Sequence, residues 1–201
     1  QKAASVPHRF FYRKYKEATS SILVPRTSSG RRKYLPCGFI EKGNIISNQA
    51  FVVYDFENYL FSILSSRIHC VWMEITSGKM RHDYSYSVNL TYNTFPFPNI
   101  SQSQKQELEQ CVFRILEERE NHSEKTLAQM YDPDKMPEGL REAHRLNDLA
   151  VERCYRSKPF ESDEERLEYL FKLYEKMIAE EKEKGTLFQE GKKAKKVKKY
   201  W

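Results

Sequence analysis

The sequence predicts an α+β fold in which a β-rich region with one inserted helix is followed by a small α-helical bundle. Up to residue 98, β-branched and aromatic residues are frequent and turn-forming residues separate them, which is typical of short strands. From residue 99 to residue 190 the apolar residues instead recur with the period of helices. Helix-starting patterns occur in the same stretch, and the clearest is the capping box Ser162-Asp163-Glu164-Glu165. The basic residues 191–201 are predicted to be a disordered tail.

Four strands and one helix are predicted within residues 1–98, together with one weaker strand. The predicted strands are the apolar runs at residues 10–12, 21–25, 34–40 and 51–54. The polar residues 26–33 are predicted to form a loop between the second and third strands. Apolar residues at positions 60, 61, 64 and 68 fit one buried face of a helix over residues 57–68. Residues 81–90 alternate weakly, as a half-buried strand does.

The second region is predicted to contain four helices. Their predicted limits are Ser101 to about residue 120, Ser123 to about residue 130, Pro137 to about residue 155, and Ser162 to residue 185. Between the two regions, residues 92–98 form an aromatic segment with two prolines, which are incompatible with a central strand or a helix interior. This segment is therefore predicted to be an extended connector whose phenylalanines are buried where the two regions meet.

The net charge of +6 is unevenly distributed along the chain. Residues 1–100 carry 13 Lys and Arg against 6 Asp and Glu, and residues 101–190 carry 15 against 22. Residues 191–201 carry six lysines and no acidic residue, so the tail is interpreted as a general polyanion binder or an aid to solubility. The distribution is expected of a polyanion-binding face supported by an acidic scaffold. Chance segregation of surface charge explains it equally well.

Several functional classes are excluded by features that the sequence lacks. No stretch approaches the roughly 18 apolar residues that span a bilayer. The four cysteines are widely spaced and are interpreted as reduced thiols of a cytoplasmic protein. The first residues contain neither Met nor an apolar segment, so this end is interpreted as a cut point within a longer protein. The glycine-rich loop and the Asn/Asp-Pro-Pro-aromatic tetrapeptide of amino-methylating DNA enzymes are missing, and the histidines lack ligand spacing. We therefore predict no catalytic, cofactor-binding or metal site in this chain.

Three groups of motifs resemble one family of enzymes. They are Leu23-Val24-Pro25-Arg26-Thr27-Ser28-Ser29 with Arg31-Arg32-Lys33-Tyr34-Leu35-Pro36; Gly78-Lys79-Met80-Arg81-His82-Asp83-Tyr84-Ser85-Tyr86-Ser87 with Tyr92-Asn93-Thr94-Phe95-Pro96-Phe97-Pro98; and Leu127-Ala128-Gln129-Met130-Tyr131-Asp132-Pro133 with the helices after it. Their order and spacing resemble the target-recognition domain and the C-terminal helical domain of MmeI-like restriction–modification enzymes, type IIL and IIG. The resemblance covers nearly the whole chain, and it places the recognition domain at residues 1–98 and the helical domain at residues 99–190.

The resemblance implies a module that reads double-stranded DNA. The parent enzymes of this family transfer a methyl group from S-adenosylmethionine to the N6 of adenine, and many also cut DNA. The resemblance therefore implies two partners, duplex DNA and the methyltransferase domain of the same parent chain, and a cofactor, S-adenosylmethionine, that this chain itself does not hold. Base-reading positions of the family map by resemblance onto Arg26, Asn48, Gln49, Arg81, Asp83 and Ser85.

The residue types give these positions a chemical meaning. Arg81 can present a bidentate fork to the O6 and N7 of guanine, and Asp83 can accept from the N4 amine of cytosine. If residues 81–85 are extended, the two side chains point to the same side and could read one G·C pair. Asn48 and Gln49 carry amides suited to adenine, although ordinary turns also favour such residues. Predicted phosphate contacts, which fix register without carrying sequence information, are Ser28, Ser29, Arg31, Arg32, Lys33 and Lys79.

Each of these interpretations has a simpler alternative. Arg81 and Asp83 could form an exposed ion pair of little energetic value. Residues 31–33 could be an ordinary solvated turn. For the whole chain, the main alternative is a protein-interaction or specificity-subunit module that docks a separate methyltransferase through its acidic helical half. An enzyme with an unrecognised site is a third possibility.

Overall fold

The computed structural model describes residues 20–41, 43–44, 46–54 and 56–187. Six strands lie in the first half: β1 (Ser20–Pro25), β2 (Thr27–Ser29), β3 (Gly38–Glu41), β4 (Ala50–Val53), β5 (Gly78–Met80) and β6 (Asp83–Ser85). Six α-helices follow or interrupt them: α1 (Tyr59–Leu64), α2 (Arg67–Thr76), α3 (Gln102–Glu120), α4 (Leu127–Met130), α5 (Glu138–Arg153) and α6 (Asp163–Leu187). A π-helix, Val88–Tyr92, follows β6.

The strands form two three-stranded antiparallel sheets. The first has the order β3-β1-β4 and the second the order β2-β6-β5. Arg26 alone separates β1 from β2, so the chain passes directly from one sheet into the other. Because the sheets precede a set of helices and two helices are inserted among the strands, the predicted α+β class is confirmed.

Two strand predictions are confirmed, one is right only in part, and the polar residues 26–33 were predicted wrongly. The predicted strands at 21–25 and 51–54 overlap β1 and β4. Of the predicted strand over 34–40 only residues 38–40 lie in β3, and residues 34–37 form no strand, whereas residues 10–12 lie outside the described residues. The predicted loop over 26–33 contains β2, and the predicted strand over 81–90 is β6 followed by the π-helix. The strand β2 was missed because Ser28 pairs with Tyr84 of the distant β6, and this pairing leaves no apolar pattern in β2. The predicted strand over 81–90 ends early because the Ser87 hydroxyl accepts from the backbone N–H of Leu90 and caps the π-helix.

The single inserted helix predicted over 57–68 is two helices. Ser66 interrupts the helical path with extended backbone angles, φ −84° and ψ 157°. Its side chain accepts a hydrogen bond from the backbone N–H of His69, which makes Ser66 the N-cap of α2. α2 then continues to Thr76 through the apolar run Cys70-Val71-Trp72-Met73, in which Trp72 is buried.

In the helical half, local capping chemistry sets the helix limits. Ser101 caps α3 and forms the complete capping box with Gln104. The short helix α4 is capped by Thr126 and not by Ser123, because the Gln129 side chain completes a box with Thr126. At α6 the backbone N–H of Glu165 donates to the Ser162 hydroxyl, as predicted, and the helix runs past Gly185 to Leu187.

The hydrophobic core consists of two clusters, of which the first draws on strands and helices and the second on helices and the aromatic connector. One contains Ile22, Tyr34 and Leu140, and the other contains Trp72, Phe95 and Leu170, among others. Phe95 of the aromatic connector is 2% exposed in the second cluster, whereas Phe97 is 39% exposed. The prediction that the connector buries its phenylalanines is therefore confirmed for Phe95 and wrong for Phe97. The domain boundary between residues 98 and 99 stays a prediction.

Candidate nucleic-acid interface

Residues 78–85, which include the predicted base-reading residues Arg81, Asp83 and Ser85, form a tight β-hairpin. In the pairing of β5 with β6, Gly78 lies opposite Ser85 and Met80 lies opposite Asp83, which leaves Arg81 and His82 as a two-residue turn. Arg81 has a left-handed backbone with φ 59°, a conformation uncommon outside glycine. Arg81 therefore lies at the hairpin tip, and the expectation that residues 81–85 are extended is wrong for Arg81. Its side chain is exposed there.

The sheet β2-β6-β5 has one face toward the core and one face toward solvent. Residues directly opposite each other in antiparallel strands share a face, and neighbours along a strand alternate. The inner face carries Ser28, Lys79 and Tyr84, and the Tyr84 ring packs against the first core cluster. The other face, called the outer face below, carries Thr27, Ser29, Gly78, Met80, Asp83 and Ser85. Asp83 and Ser85 therefore lie on the side where a ligand could approach.

Two of the predicted phosphate contacts lie on the inner face. Ser28 is 4% exposed, so its hydroxyl is not available to a DNA backbone and the prediction for Ser28 is wrong. The inward position of Ser28 is difficult to recognise from the sequence because β2 has only three residues. The alternation of side chains along the strand places Ser28 inward between two accessible neighbours. Lys79 is exposed, with its Nζ 5.4 Å from the centre of the Tyr84 ring.

Three predicted base-reading residues that are distant in sequence lie close together. The Arg26 backbone N–H donates to the carbonyl of Gln49 at 2.9 Å, and its guanidinium Nη1 donates to the carbonyl of Asn48 at 3.4 Å. The carbonyl of Arg26 accepts from the backbone N–H of Tyr86, next to Ser85. All three side chains are exposed, so Arg26, Asn48 and Gln49 extend the accessible surface beside β6.

The basic residues 31–33 lie on the loop that leaves β2. The guanidinium of Arg31 forms an ion pair with Asp134 at 2.5 Å, and the side chains are 65% and 69% exposed. Asp134 raises the pKa of Arg31 through this hydrogen bond and through its charge. An exposed pair of this kind is weak, so a phosphate can replace Asp134 at small cost. Lys33 is exposed and Arg32 is half-buried.

Polar contacts hold this loop to the hairpin and to the helices. The backbone N–H of Gly30 donates to the carbonyl of His82 at 3.0 Å. Arg67 of α2 donates to the carbonyl of Lys33 and to Asp163 of α6. Arg119 of α3 donates to the carbonyl of Cys37 at 2.7 Å. Sequence reasoning did not identify these anchoring residues, because each acts through a carbonyl of a distant segment.

Arg81 and Asp83 do not form the ion pair that was the alternative interpretation of these two residues. Among the residues that the structure describes, neither side chain forms a hydrogen bond or a salt bridge. Both groups are consequently available to a ligand.

Two histidines, His69 and His144, are fully buried and uncharged at neutral pH. Burial lowers the pKa of His69 to about 3, and burial together with the charge of Arg119 does the same for His144. Within the described ranges, no cluster of His, Cys, Asp and Glu could hold a metal ion, and no helix is long and apolar enough to cross a membrane.

Comparison with known proteins gives matches over most of the chain. Residues 1–99 match the family described as "MmeI, target recognition domain", and residues 100–180 match "MmeI, C-terminal domain". The chain is 47% identical over 177 residues to DNA methyltransferase A of Bacillus subtilis (strain 168), which covers 88% of the chain and 20% of that protein. A solved structure of the type IIL restriction-modification enzyme MmeI in complex with DNA matches with a TM-score of 0.84 and 36% identity, covering 89% of this chain and 24% of the solved one. The chain thus spans about a fifth of the length of the curated relative.

Proposed function

Because this chain belongs to the MmeI family, we propose that it is the module with which a restriction–modification methyltransferase reads its double-stranded DNA sequence. The observation that carries the proposal is the outer face of the sheet β2-β6-β5. It presents Asp83 and Ser85 beside the exposed tip residue Arg81, with no protein partner for Arg81 or Asp83 among the described residues. A two-stranded ribbon of this kind fits the major groove of B-DNA, where each base pair shows a distinct pattern of donors and acceptors.

We propose that Arg81 and Asp83 read one G·C base pair, with Arg81 approaching from the hairpin tip and not from the same row of an extended strand as Asp83. Arg81 at the tip offers two parallel N–H donors to the O6 and N7 of guanine, and Asp83 accepts from the N4 amine of the paired cytosine. Each such contact is worth about 1–3 kcal/mol of discrimination against a wrong base. Arg26, Asn48, Gln49 and Ser85 extend the base-reading surface to neighbouring positions.

The remaining basic residues are proposed to contact phosphates. The half-buried Ser29 lies on the outer face, and the loop beside that face carries Arg31, Arg32 and Lys33. Lys79 lies on the inner face, but it is exposed and belongs to the edge strand β5. Contacts of this type set affinity and register, and they make binding sensitive to salt.

The chemistry of the parent enzyme is assigned to other parts of that protein. The curated relative is a DNA methyltransferase, which supports methyl transfer from S-adenosylmethionine to adenine N6 in the parent. The sequence of this chain carries neither the cofactor loop nor the catalytic tetrapeptide for that reaction. We propose that the chain holds DNA in register for the methyltransferase domain of the same protein.

The test is a comparison of two single variants of the full-length enzyme in a competition binding assay. Arg81→Ala is expected to lose discrimination at one base pair and to bind other duplexes as before. Lys33→Ala is expected to weaken binding to all duplexes equally and to lower the salt slope by about 1. The proposal is wrong if Arg81→Ala weakens binding to every duplex by the same factor.

A further inference from the structure

We infer that Met80 is a specificity-determining residue that contacts the 5-methyl group of a thymine beside the G·C pair read by Arg81 and Asp83. The inference rests on the proposed function and deepens it, because it names an apolar feature of the target sequence. The three observations that carry it are the exposure of Met80, its place in the sheet and the chemistry of its neighbours.

Met80 is a large apolar side chain that is 63% exposed. Isolated exposed apolar residues are common on protein surfaces, so exposure alone indicates little. The position of Met80 is more informative. It ends β5 directly opposite Asp83, and it therefore lies on the outer face in one row with Asp83 and Ser29.

The rest of the outer face gives Met80 nothing apolar to pack against. Its other members are Thr27, Ser29, Gly78, Asp83 and Ser85, all of them polar or without a side chain. Gly78 is open as well, since an added Cβ there would meet only the Cβ of Ser85, at 4.0 Å. The methionine side chain is thus hydrated in the free protein, and a DNA groove laid on this face would remove it from water.

The spacing places Met80 within one or two base steps of the Asp83 contact. Adjacent strands lie about 4.8 Å apart, and successive bases of one strand are about 3.4 Å apart along the helix axis. In the major groove, the apolar group that distinguishes one base from the others is the C5-methyl of thymine. The flexible thioether chain of methionine suits such a contact because it adapts to irregular surfaces.

The effect of one methyl group is measurable. Burying one methyl or methylene group changes an equilibrium constant by about fourfold. Replacing thymine by deoxyuridine removes the methyl group and leaves the base pairing and the groove acceptors in place. The wild-type enzyme is therefore expected to bind about fourfold more weakly when one particular thymine, within two base pairs of the G·C pair, is replaced by deoxyuridine.

The experiment uses the full-length enzyme and duplexes that carry the recognition sequence with single thymine-to-deoxyuridine replacements. For Met80→Ala, the ratio of the affinities for the thymine and deoxyuridine duplexes is expected to fall to about one at that position. Met80→Leu is expected to retain most of the ratio. Ile75→Ala is the matched control, because Ile75 is 56% exposed and belongs to α2 and not to the outer face, and its ratio is expected to stay at the wild-type value.

Three results would overturn the inference. They are a wild-type enzyme that is insensitive to every deoxyuridine replacement, a Met80→Ala variant that keeps the wild-type ratio, and a recognition sequence without thymine within two base pairs of the G·C pair. In each of these cases the Arg81→Ala variant can still lose discrimination at one base pair, which would leave the proposed function standing. An enzyme without any preference among duplex sequences would overturn both.

Discussion

Replacing Gly30 with alanine is expected to impair sequence discrimination without touching any residue proposed to contact a base. Gly30 lies where the loop after β2 meets the hairpin tip, and its backbone N–H donates to the carbonyl of His82 at 3.0 Å. A Cβ on Gly30 would lie far inside the 3.0 Å limit below which real Cβ atoms essentially never approach, and the atom that it meets is this same backbone carbonyl oxygen. A backbone atom cannot rotate away, so the hairpin tip and the loop must separate.

The size of the effect follows from this geometry. Restoring a van der Waals separation requires a displacement of about 1 Å or more, which also weakens a hydrogen bond worth about 1 kcal/mol. Arg81 is adjacent to His82, so the displacement moves its guanidinium relative to the basic residues 31–33. A bidentate contact is lost at such a displacement, and discrimination at the G·C pair is expected to fall by about 1–3 kcal/mol, or about 5- to 150-fold.

The assay is competition binding of the full-length enzyme to its recognition duplex and to duplexes with a substitution at that pair. Gly38→Ala is the matched control, since an added Cβ at Gly38 has nothing within 4 Å and Gly38 lies in β3 of the other sheet. Gly30→Ala should lower the discrimination ratio while Gly38→Ala preserves it. Equal ratios for the two variants would refute the idea that the contact of Gly30 with His82 positions Arg81.

Two further predictions concern the stability of the chain. The folded-state pKa of His144 is about 3, below the unfolded value of 6.5. Its stabilising contribution is therefore complete above pH 6.5 and falls by about 2 kcal/mol on acidification to pH 5. Burial raises the pKa of Asp148 to about 6. Over the same fall in pH this residue therefore adds about 1 kcal/mol to the free energy of unfolding. Urea unfolding at pH 7 and pH 5 should show His144→Gln losing less stability on acidification than the wild type, and identical losses would contradict this. Arg67→Met is expected to lower the free energy of unfolding by about 2 kcal/mol, because the side chain is 13% exposed and its removal breaks its ion pairs with the partly exposed Glu74 and Asp163. Arg145→Met, which breaks an exposed ion pair with Glu142, should change it by less than about 1 kcal/mol in the same measurement.

Elements whose cause is local could be predicted from the sequence. The caps at Ser101 and Ser162 depend on side chains within three residues of the helix start, and both helices begin as expected. Apolar strands such as β1 and β4 were also found, because their residues face the core. The N-cap of α4 was predicted at Ser123 and lies at Thr126. This signal is also local, since Thr126 and Gln129 form a capping box that can be recognised in the sequence.

Elements whose cause is a distant partner could not be predicted. β2 is a strand only because β6 lies beside it, and the hairpin turn has neither the Asn-Gly nor the Asp-Gly pair that would indicate it. The same distinction applies to the candidate site. Residue chemistry and the family resemblance suggested the exposed Arg81 and the half-buried Asp83, whereas the inward position of Ser28 depends on which strand pairs with it.

The structure separates the residues that hold the interface from those proposed to read DNA. Tyr84, on the inner face, packs into the core, and the loop backbone is held at the carbonyls of Lys33 and Cys37 by arginines of the helices. These contacts do not depend on the identity of the loop side chains, since carbonyls are common to all residues. Asp83 and Arg81, by contrast, have no side-chain partner among the described residues. A substitution at either position therefore removes no side-chain hydrogen bond or ion pair among the described residues, so the residues proposed to read DNA can change while the contacts that hold the scaffold remain.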